Sequence, residues 1–303
     1  FGLPPSSSRR RSKCPEIIDA LRRVKMANEA GKLDACASYL LFRHWIEEDR
    51  TVLRNANYCQ QTKLCQNCAY FASIKTARSY CERAQQIINE HPTWLPMMMT
   101  FTLKNGKQLG ATLKRLREGL KQVCQRRRDS TRYKPNEWGK IKAAAIRIEI
   151  KRGKNSGLWH PHAHALIFRE RNEYFDLSAM QKEWSKYVKN GNFNLAMTST
   201  AERILAGNKN AENSNFSLMK DCLEIFKYIT KFSEATAEDL IEIHLKTHRQ
   251  RLLTSWGGFH GLKEEQAAGN DFDYGGAFYD LMWSRNPDGS YRLVDHGHLG
   301  EAA

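Results

Sequence analysis

Residues 160–168 read His-Pro-His-Ala-His-Ala-Leu-Ile-Phe, three imidazoles at a spacing of two. Two is the period of a β-strand, so His162, His164, Leu166 and Phe168 share one face and Ala163, Ala165 and Ile167 the other. Two imidazoles on one strand face reach a single metal ion. Three do not, because at about 3.3 Å per residue the Cα atoms of His160 and His164 stand roughly 13 Å apart. Pro161 lacks a backbone donor and suits a strand start. That leaves His160 at the entrance and makes His162 and His164 the expected ligands. The plain alternative is a His-rich strand of satisfied core imidazoles.

A second strand is expected at 144–151, followed by the turn Gly153-Lys154-Asn155-Ser156-Gly157. Ile146, Ile148 and Ile150 face one way, and Arg147, Glu149 and Lys151 the other. If this strand pairs with the His strand across the turn, Glu149 lies opposite His162 or His164 as a third ligand. Arg147 and Lys151 then become cations for a phosphate on the same exposed face. Mixed imidazole and carboxylate ligation suits Mn²⁺, or Mg²⁺ with a substrate phosphate completing its shell, better than Zn²⁺. The plain alternative for Glu149 is a surface ion pair with Arg147 or Lys151.

A helix expected at 218–232 buries Leu218, Cys222, Ile225, Ile229 and Phe232 and carries Glu224, Tyr228 and Lys231 along another face. A Tyr228 hydroxyl is a nucleophile once a metal neutralises the phosphate that it attacks. Lys231 can hold a phosphate oxygen, Lys227 adds a further cation, and Glu224 can take a proton from Tyr228 or from water. Taken alone, such spacing usually describes a solvated helix face. A further constellation, Cys59-x5-Cys65-x2-Cys68, reads as a structural zinc knuckle. Its fourth ligand stays open. Cys36 and His44 are candidates, whereas Cys81 lies about 20 Å along one helix from Cys68 and joins only if that helix breaks. Cys14, Cys124 and Cys222 read as unligated thiols.

The elements that must position these groups are legible in outline. Residues 1–14 read as a disordered basic tail, and 15–93 as a helical part with helices near 15–30 and 34–49 and a third reaching about residue 90. A strand follows at 97–103, with Met97, Met99, Phe101 and Leu103 inward. Leu109, Leu113, Leu116, Leu120 and Val123 make a helix stripe. A helix is expected at 176–189, a strand at 193–199, and helix again within 236–250. This order implies an α+β chain, an antiparallel sheet with helices on one face.

The 303 residues carry 48 Lys and Arg against 33 Asp and Glu, net +15, which points to a polyanion as partner. Arg126, Arg127 and Arg128 end the long helix as a cluster for that polyanion, while the last forty residues lean acidic. No run approaches the ~18 apolar residues of a membrane span, and no secretory leader is legible, although the sequence opens on Phe1. Eight cysteines at this length suit reduced cytoplasmic thiols or a metal site, not a disulfide scaffold.

Three of these motifs occur in an order that resembles a known family. Thr100-Phe101-Thr102-Leu103 resembles motif 1 of the HUH endonucleases, His162-Ala163-His164 their His-hydrophobic-His signature, and Tyr228 with Lys231 their Tyr-x-x-Lys motif. Trp159-His160-Pro161-His162-Ala163-His164, Glu224 four residues before Tyr228, and Arg251-Leu252-Leu253-Thr254-Ser255-Trp256-Gly257 are similar to rolling-circle plasmid replication initiators of the pC194/pUB110 type. The resemblance covers about residues 54–262 and extends to the Cys cluster. It implies an RRM/ferredoxin-like five-stranded antiparallel sheet with flanking helices, the His pair on a central strand. It also implies an enzyme that nicks single-stranded origin DNA through Tyr228, leaving a 5′-phosphotyrosyl link and a 3′-OH primer, with Glu224 as hydrolytic base at termination. The expected domains are an endonuclease domain over 94–262 and an acidic segment over 263–303 that is a candidate to recruit a host helicase. Oligomeric state is open, a dimer included. The competing readings are a zinc-dependent DNA-binding module without catalysis and a single-tyrosine transposase or relaxase. Glu224 speaks against the last, since an enzyme that must rejoin strands gains little from a hydrolytic base.

Overall fold

In the computed structural model, residues 14–205, 211–226, 234–268, 275–296 and 300–302 are described. Contacts divide the chain into two units, residues 1–72 with 266–303 and residues 73–265.

The first unit opens with helices α1 (Cys14–Arg23) and α2 (Ala27–Ala35). The helix expected near 34–49 is instead a hairpin, β1 (Tyr39–Trp45) and β2 (Arg50–Ala56). Helix α3 (Gln66–Glu90) then runs on into the second unit. There follow β3 (Trp94–Leu103), α4 (Leu109–Asp129), β4 (Ala143–Arg152), β5 (Trp159–Glu170), α5 (Leu177–Val188) and β6 (Gly191–Met197). The second unit closes with α6 (Ser199–Leu205), α7 (Ala211–Phe226), α8 (Ala237–Lys246) and β7 (Leu253–Trp256). The chain returns to the first unit with β8 (Gly276–Arg285), β9 (Tyr291–His296) and β10 (Gly300–Ala302).

Residues 263–303 are therefore more than an acidic segment, and residues 15–93 more than helices. β8 pairs antiparallel with β1 from Tyr39↔Ser284 to Trp45↔Phe278, and also with β9 and β10. Arg43 reaches across that pairing to Asp280 with two hydrogen bonds, 2.8 and 3.0 Å, over 237 residues of sequence. Tyr39-Leu-Leu-Phe-Arg-His-Trp is rich in residues that fit a pleated surface, and a partner so distant leaves no local periodicity to announce it.

In the second unit the strand order is β6-β3-β5-β4-β7, all antiparallel, with β5 in the centre. Helices cover both faces, not one. Leu113, Leu116 and Leu120 of α4 and Trp184 of α5 pack with Phe101, Ile146, Ile148, Ala163 and Ile167. Tyr80 and Ile87 of α3 and Leu218, Cys222, Ile225 and Phe226 of α7 pack on Leu166 and Phe168 from the other side. The reason is in β5 itself, whose second half is apolar on both faces and must be covered twice. Its first half presents the imidazoles. Within the expected α7 stripe, Ile229 and Phe232 lie outside the described residues.

Helices α4 and α5 touch closely at Gly119, where an added Cβ would meet Val188 and the Trp184 ring, the latter at 2.9 Å. Gly119→Ala should gain about 1 kcal/mol of helix propensity and lose ~1–3 kcal/mol to overpacking. The expected outcome is a lower urea midpoint; an unchanged or higher one would show that the contact can open.

Candidate metal centre

Antiparallel register brings the ligands together. β4 and β5 pair Glu149 with His162, Arg147 with His164 and Lys151 with His160, while β3 places Thr100 on the other side of His164. The Nε2 atoms of His162 and His164 each stand 3.6 Å from Glu149 Oε2, and the three ligand atoms lie within 4.8 Å of one another. Donors bound at about 2.1 Å to one ion stand about 3–3.5 Å apart, so a small inward shift suffices.

The Nδ1 atoms are already engaged. His162 Nδ1 faces the His160 carbonyl at 3.3 Å, and His164 Nδ1 faces Thr100 Oγ1 at 3.1 Å. These contacts fix the rings with Nε2 toward Glu149, where each Nε2 can donate to the carboxylate or, with its proton on Nδ1, turn to a metal ion. Burial works to raise the Glu149 carboxyl, but the hydrogen bonds and charges of His162 and His164 outweigh it and hold the group well below the usual carboxylate range. Glu149 and His162 are only 4% and 3% exposed, so the face expected to be open is buried here. Among the described residues, the buried Glu149 Oε1 finds no hydrogen-bond partner. An orphaned carboxylate oxygen costs free energy that a divalent cation would recover, so the donor set fits such an ion. Among the described residues, Glu149 pairs with His162 and His164 and not with Arg147 or Lys151.

His160 stays outside this group. Its ring stacks on His162, centroids 5.0 Å apart, and its Nδ1 meets Asn105 Oδ1 at 2.6 Å. Burial first, then the charges of His162 and Lys151, push its pKa down to about 4. Arg147, 4% exposed, donates through Nη2 to Glu264 Oε1 at 2.8 Å. Its Nε and Nη1 are buried and find no acceptor among the described residues. A buried guanidinium with donors to spare suits an anion. Thr100 as an orienting group, Asn105 and Glu264 escaped the sequence reading, since each acts from a distant element.

The Cys group gains its fourth member. Cys36, just after α2, joins Cys59, Cys65 and Cys68. Sulfurs stand 3.6 Å apart for Cys36–Cys65 and Cys36–Cys68, and 3.5 Å for Cys59–Cys68. That is too long for a disulfide and near the ~3.8 Å edge of a tetrahedron with ~2.3 Å metal–sulfur bonds. Peptide N–H groups of Cys59 and Cys68 donate to Cys36 Sγ and Cys65 Sγ, both at 3.5 Å. Hydrogen bonds from Cys59, Cys65 and Cys68 hold the Cys36 thiol far below its usual range, while the same bonds and burial raise the other three. Packed sulfurs that favour a shared negative charge fit a metal cation. His44, the other candidate, is engaged with Thr51 Oγ1 at 2.9 Å, and Cys81 lies in the core with Cys222.

Other expected site residues are placed elsewhere. Arg126, Arg127 and Arg128 end α4, which covers the sheet face opposite Glu149. Arg126 pairs with Glu183 at 3.1 Å, Arg127 lies over the Trp256 ring, and Arg128 donates to Gln125. Glu224 is exposed on α7. Lys227, Tyr228 and Lys231 lie outside the described residues. Among the described residues, no helix is long and apolar enough to cross a membrane.

Two measurements check these groups. Thr100→Val removes the partner of His164 Nδ1 and should weaken divalent-metal binding about 10–100-fold by calorimetry; unchanged affinity would deny Thr100 that role. Cys36→Ser should lower bound metal by one equivalent per chain, whereas Cys81→Ser should leave it unchanged; the reverse result would reject the fourth ligand.

Residues 50–276 match the family model Rep_1, Replication protein. That stretch includes Cys59, Cys65, Cys68, Glu149, His162 and His164, and leaves out Cys36. A "Protein rep" of Bacillus sp is 26% identical over 164 residues, 54% of this chain and 50% of that protein. A "Protein rep" of Bacillus amyloliquefaciens is 25% identical over 162 residues, 53% of this chain and 45% of that protein. The matched region thus spans about half the length of these curated relatives. No solved structure matches. With well over half of its residues inside the family match, the chain belongs to the replication protein family Rep_1.

Proposed function

We propose that this protein initiates rolling-circle plasmid replication by nicking single-stranded origin DNA, with an HUH-type core over the five-stranded sheet and Tyr228 as nucleophile. The observation that carries the reading is the Glu149, His162 and His164 group on the central strands, beside an Arg147 with two buried donors to spare. An inert sheet in a pure binding module gives no reason to bury a carboxylate between two imidazoles.

A divalent ion, Mn²⁺ or Mg²⁺, held by Glu149, His162 and His164 would withdraw charge from the scissile phosphate. Arg147 offers Nε and Nη1 to a phosphate oxygen, and Glu264 fixes the guanidinium through Nη2. Tyr228 attacks phosphorus through its phenolic oxygen and loses its proton. The bond from phosphorus to the 3′ oxygen breaks, and that oxygen gains a proton to become the primer hydroxyl. The 5′ phosphate stays on Tyr228, and Lys231 is its proposed cation. At termination Glu224 takes a proton from a water that attacks the second cleavage-site phosphodiester; the 3′ hydroxyl released there attacks the phosphotyrosyl phosphorus, rejoining the strand, and the phenolic oxygen of Tyr228 leaves and regains its proton. Lys151, Lys227 and the Arg126, Arg127 and Arg128 cluster contribute salt-dependent phosphate contacts. The four cysteines would hold a structural Zn²⁺, whose binding energy would be folding energy for the first unit.

The test tiles the DNA flanking the gene as single-stranded oligonucleotides, adds Mn²⁺, and looks for a protein–DNA adduct by denaturing gel and intact mass. Wild type should give one adduct mass and Tyr228→Phe none; an adduct in Tyr228→Phe would overturn the nucleophile. Glu224→Ala should still nick but hydrolyse the termination site poorly, and unchanged termination would remove its role.

A further inference from the structure

Past the metal group, at the turn end of β4 and β5, lies a cavity of about 360 Å³ lined by Asn105, Lys151, Lys154, Ser156, His160 and Glu234. We infer that this cavity binds a single nucleotide of the DNA strand, the one next to the scissile phosphate, and reads its base. The inference rests on the proposed action on single-stranded DNA.

Position is the first argument. Lys151 and His160 face each other across the register, each two residues beyond Glu149 and His162 on the same sheet face. Two strand residues span ~7 Å, about one nucleotide step of an extended strand. Size is the second argument, since 360 Å³ lies at the small end of ligand sites, enough for a nucleotide and too little for a folded segment.

Chemistry is the third argument. Lys151 and Lys154 bring two ammonium groups for a phosphate. His160 is a flat ring held rigidly in the wall. One side lies against His162, the rings 26° from parallel, Nδ1 is fixed by Asn105 Oδ1, and Asn105 Nδ2 donates in turn to Ser156 Oγ at 2.9 Å. Gly153 makes that chain possible, because a Cβ there would strike Asn105 Nδ2 and approach Ser156 Oγ to 2.7 Å. A fixed ring beside cations is the usual platform for an unpaired base. Glu234 also lines the cavity, and a carboxylate can accept from exocyclic amino groups. The subsite therefore prefers an amino-bearing base to thymine.

The experiment uses full-length Tyr228→Phe protein without added divalent metal, so that binding is read apart from chemistry. Fluorescence anisotropy picks the tightest-binding single-stranded tile of the flanking DNA, and an abasic residue is then moved through every position. One position should cost roughly tenfold or more in affinity. That penalty should vanish in His160→Ala and persist in His160→Phe, which keeps a flat ring. Thymine at the same position should bind more weakly, and Glu234→Ala should erase the difference. Lys154→Ala should weaken binding to every tile and lower the salt slope by about 1. An abasic penalty that survives in His160→Ala, or an abasic profile without a sensitive position, overturns the subsite. Should the sensitive position be found while wild type forms no adduct with metal, the subsite stands and the nicking reading falls.

Discussion

The register of β4 against β5 is the constraint on which the candidate site depends. Because side chains alternate, a slip of one residue would send Glu149 to the core face and bring an isoleucine opposite His162. What forbids the slip lies on the other side of the sheet, where Ile146, Ile148, Ala163 and Ile167 pack with the leucines of α4. The core face thus sets the phase of the chemical face. The same pairing puts Arg147 beside His164 and Lys151 beside His160, so a row of ligands and a row of cations follow from one alignment.

Burial then shapes what those residues can do. Glu149, His162 and Arg147 lose water on a sheet face that is otherwise covered by α3 and α7. Charges without water must find partners. Glu149 has the two imidazoles, Arg147 has Glu264, and each still keeps a buried polar atom without a partner. Those leftover atoms, one acceptor and two donors, are complementary to a cation and a phosphate. The Cys group resolves the same problem differently, with four sulfurs closing on one point and no position left over. One group has the features of a working site, the other those of a brace.

Much of this was legible along the chain. The spacing of His162 and His164, the alternation that put Arg147, Glu149 and Lys151 on one face, and the leucine stripe of α4 are local patterns, repeated by periods that the backbone itself imposes. They correctly predicted the hairpin and the position of Glu149 opposite the His pair. The helix expected across β1 failed because a seven-residue strand rich in aromatics is ambiguous until its partner is known, and β8 follows more than two hundred residues later. Helices on both faces were missed because β5 is apolar on both faces only in its second half.

The sequence by itself thus determined the ligand types, their faces and the hairpin, since these arise from dihedral periodicity within a few residues. Tertiary structure alone decided which cysteine completes the group, with Cys36 lying 23 residues before Cys59. It also decided that Glu264, 117 residues from Arg147, holds the guanidinium, and that Thr100, 64 residues before His164, meets its ring. Contacts closed over such distances are fixed by packing of the whole fold, and packing leaves no periodic trace in the residues that it joins.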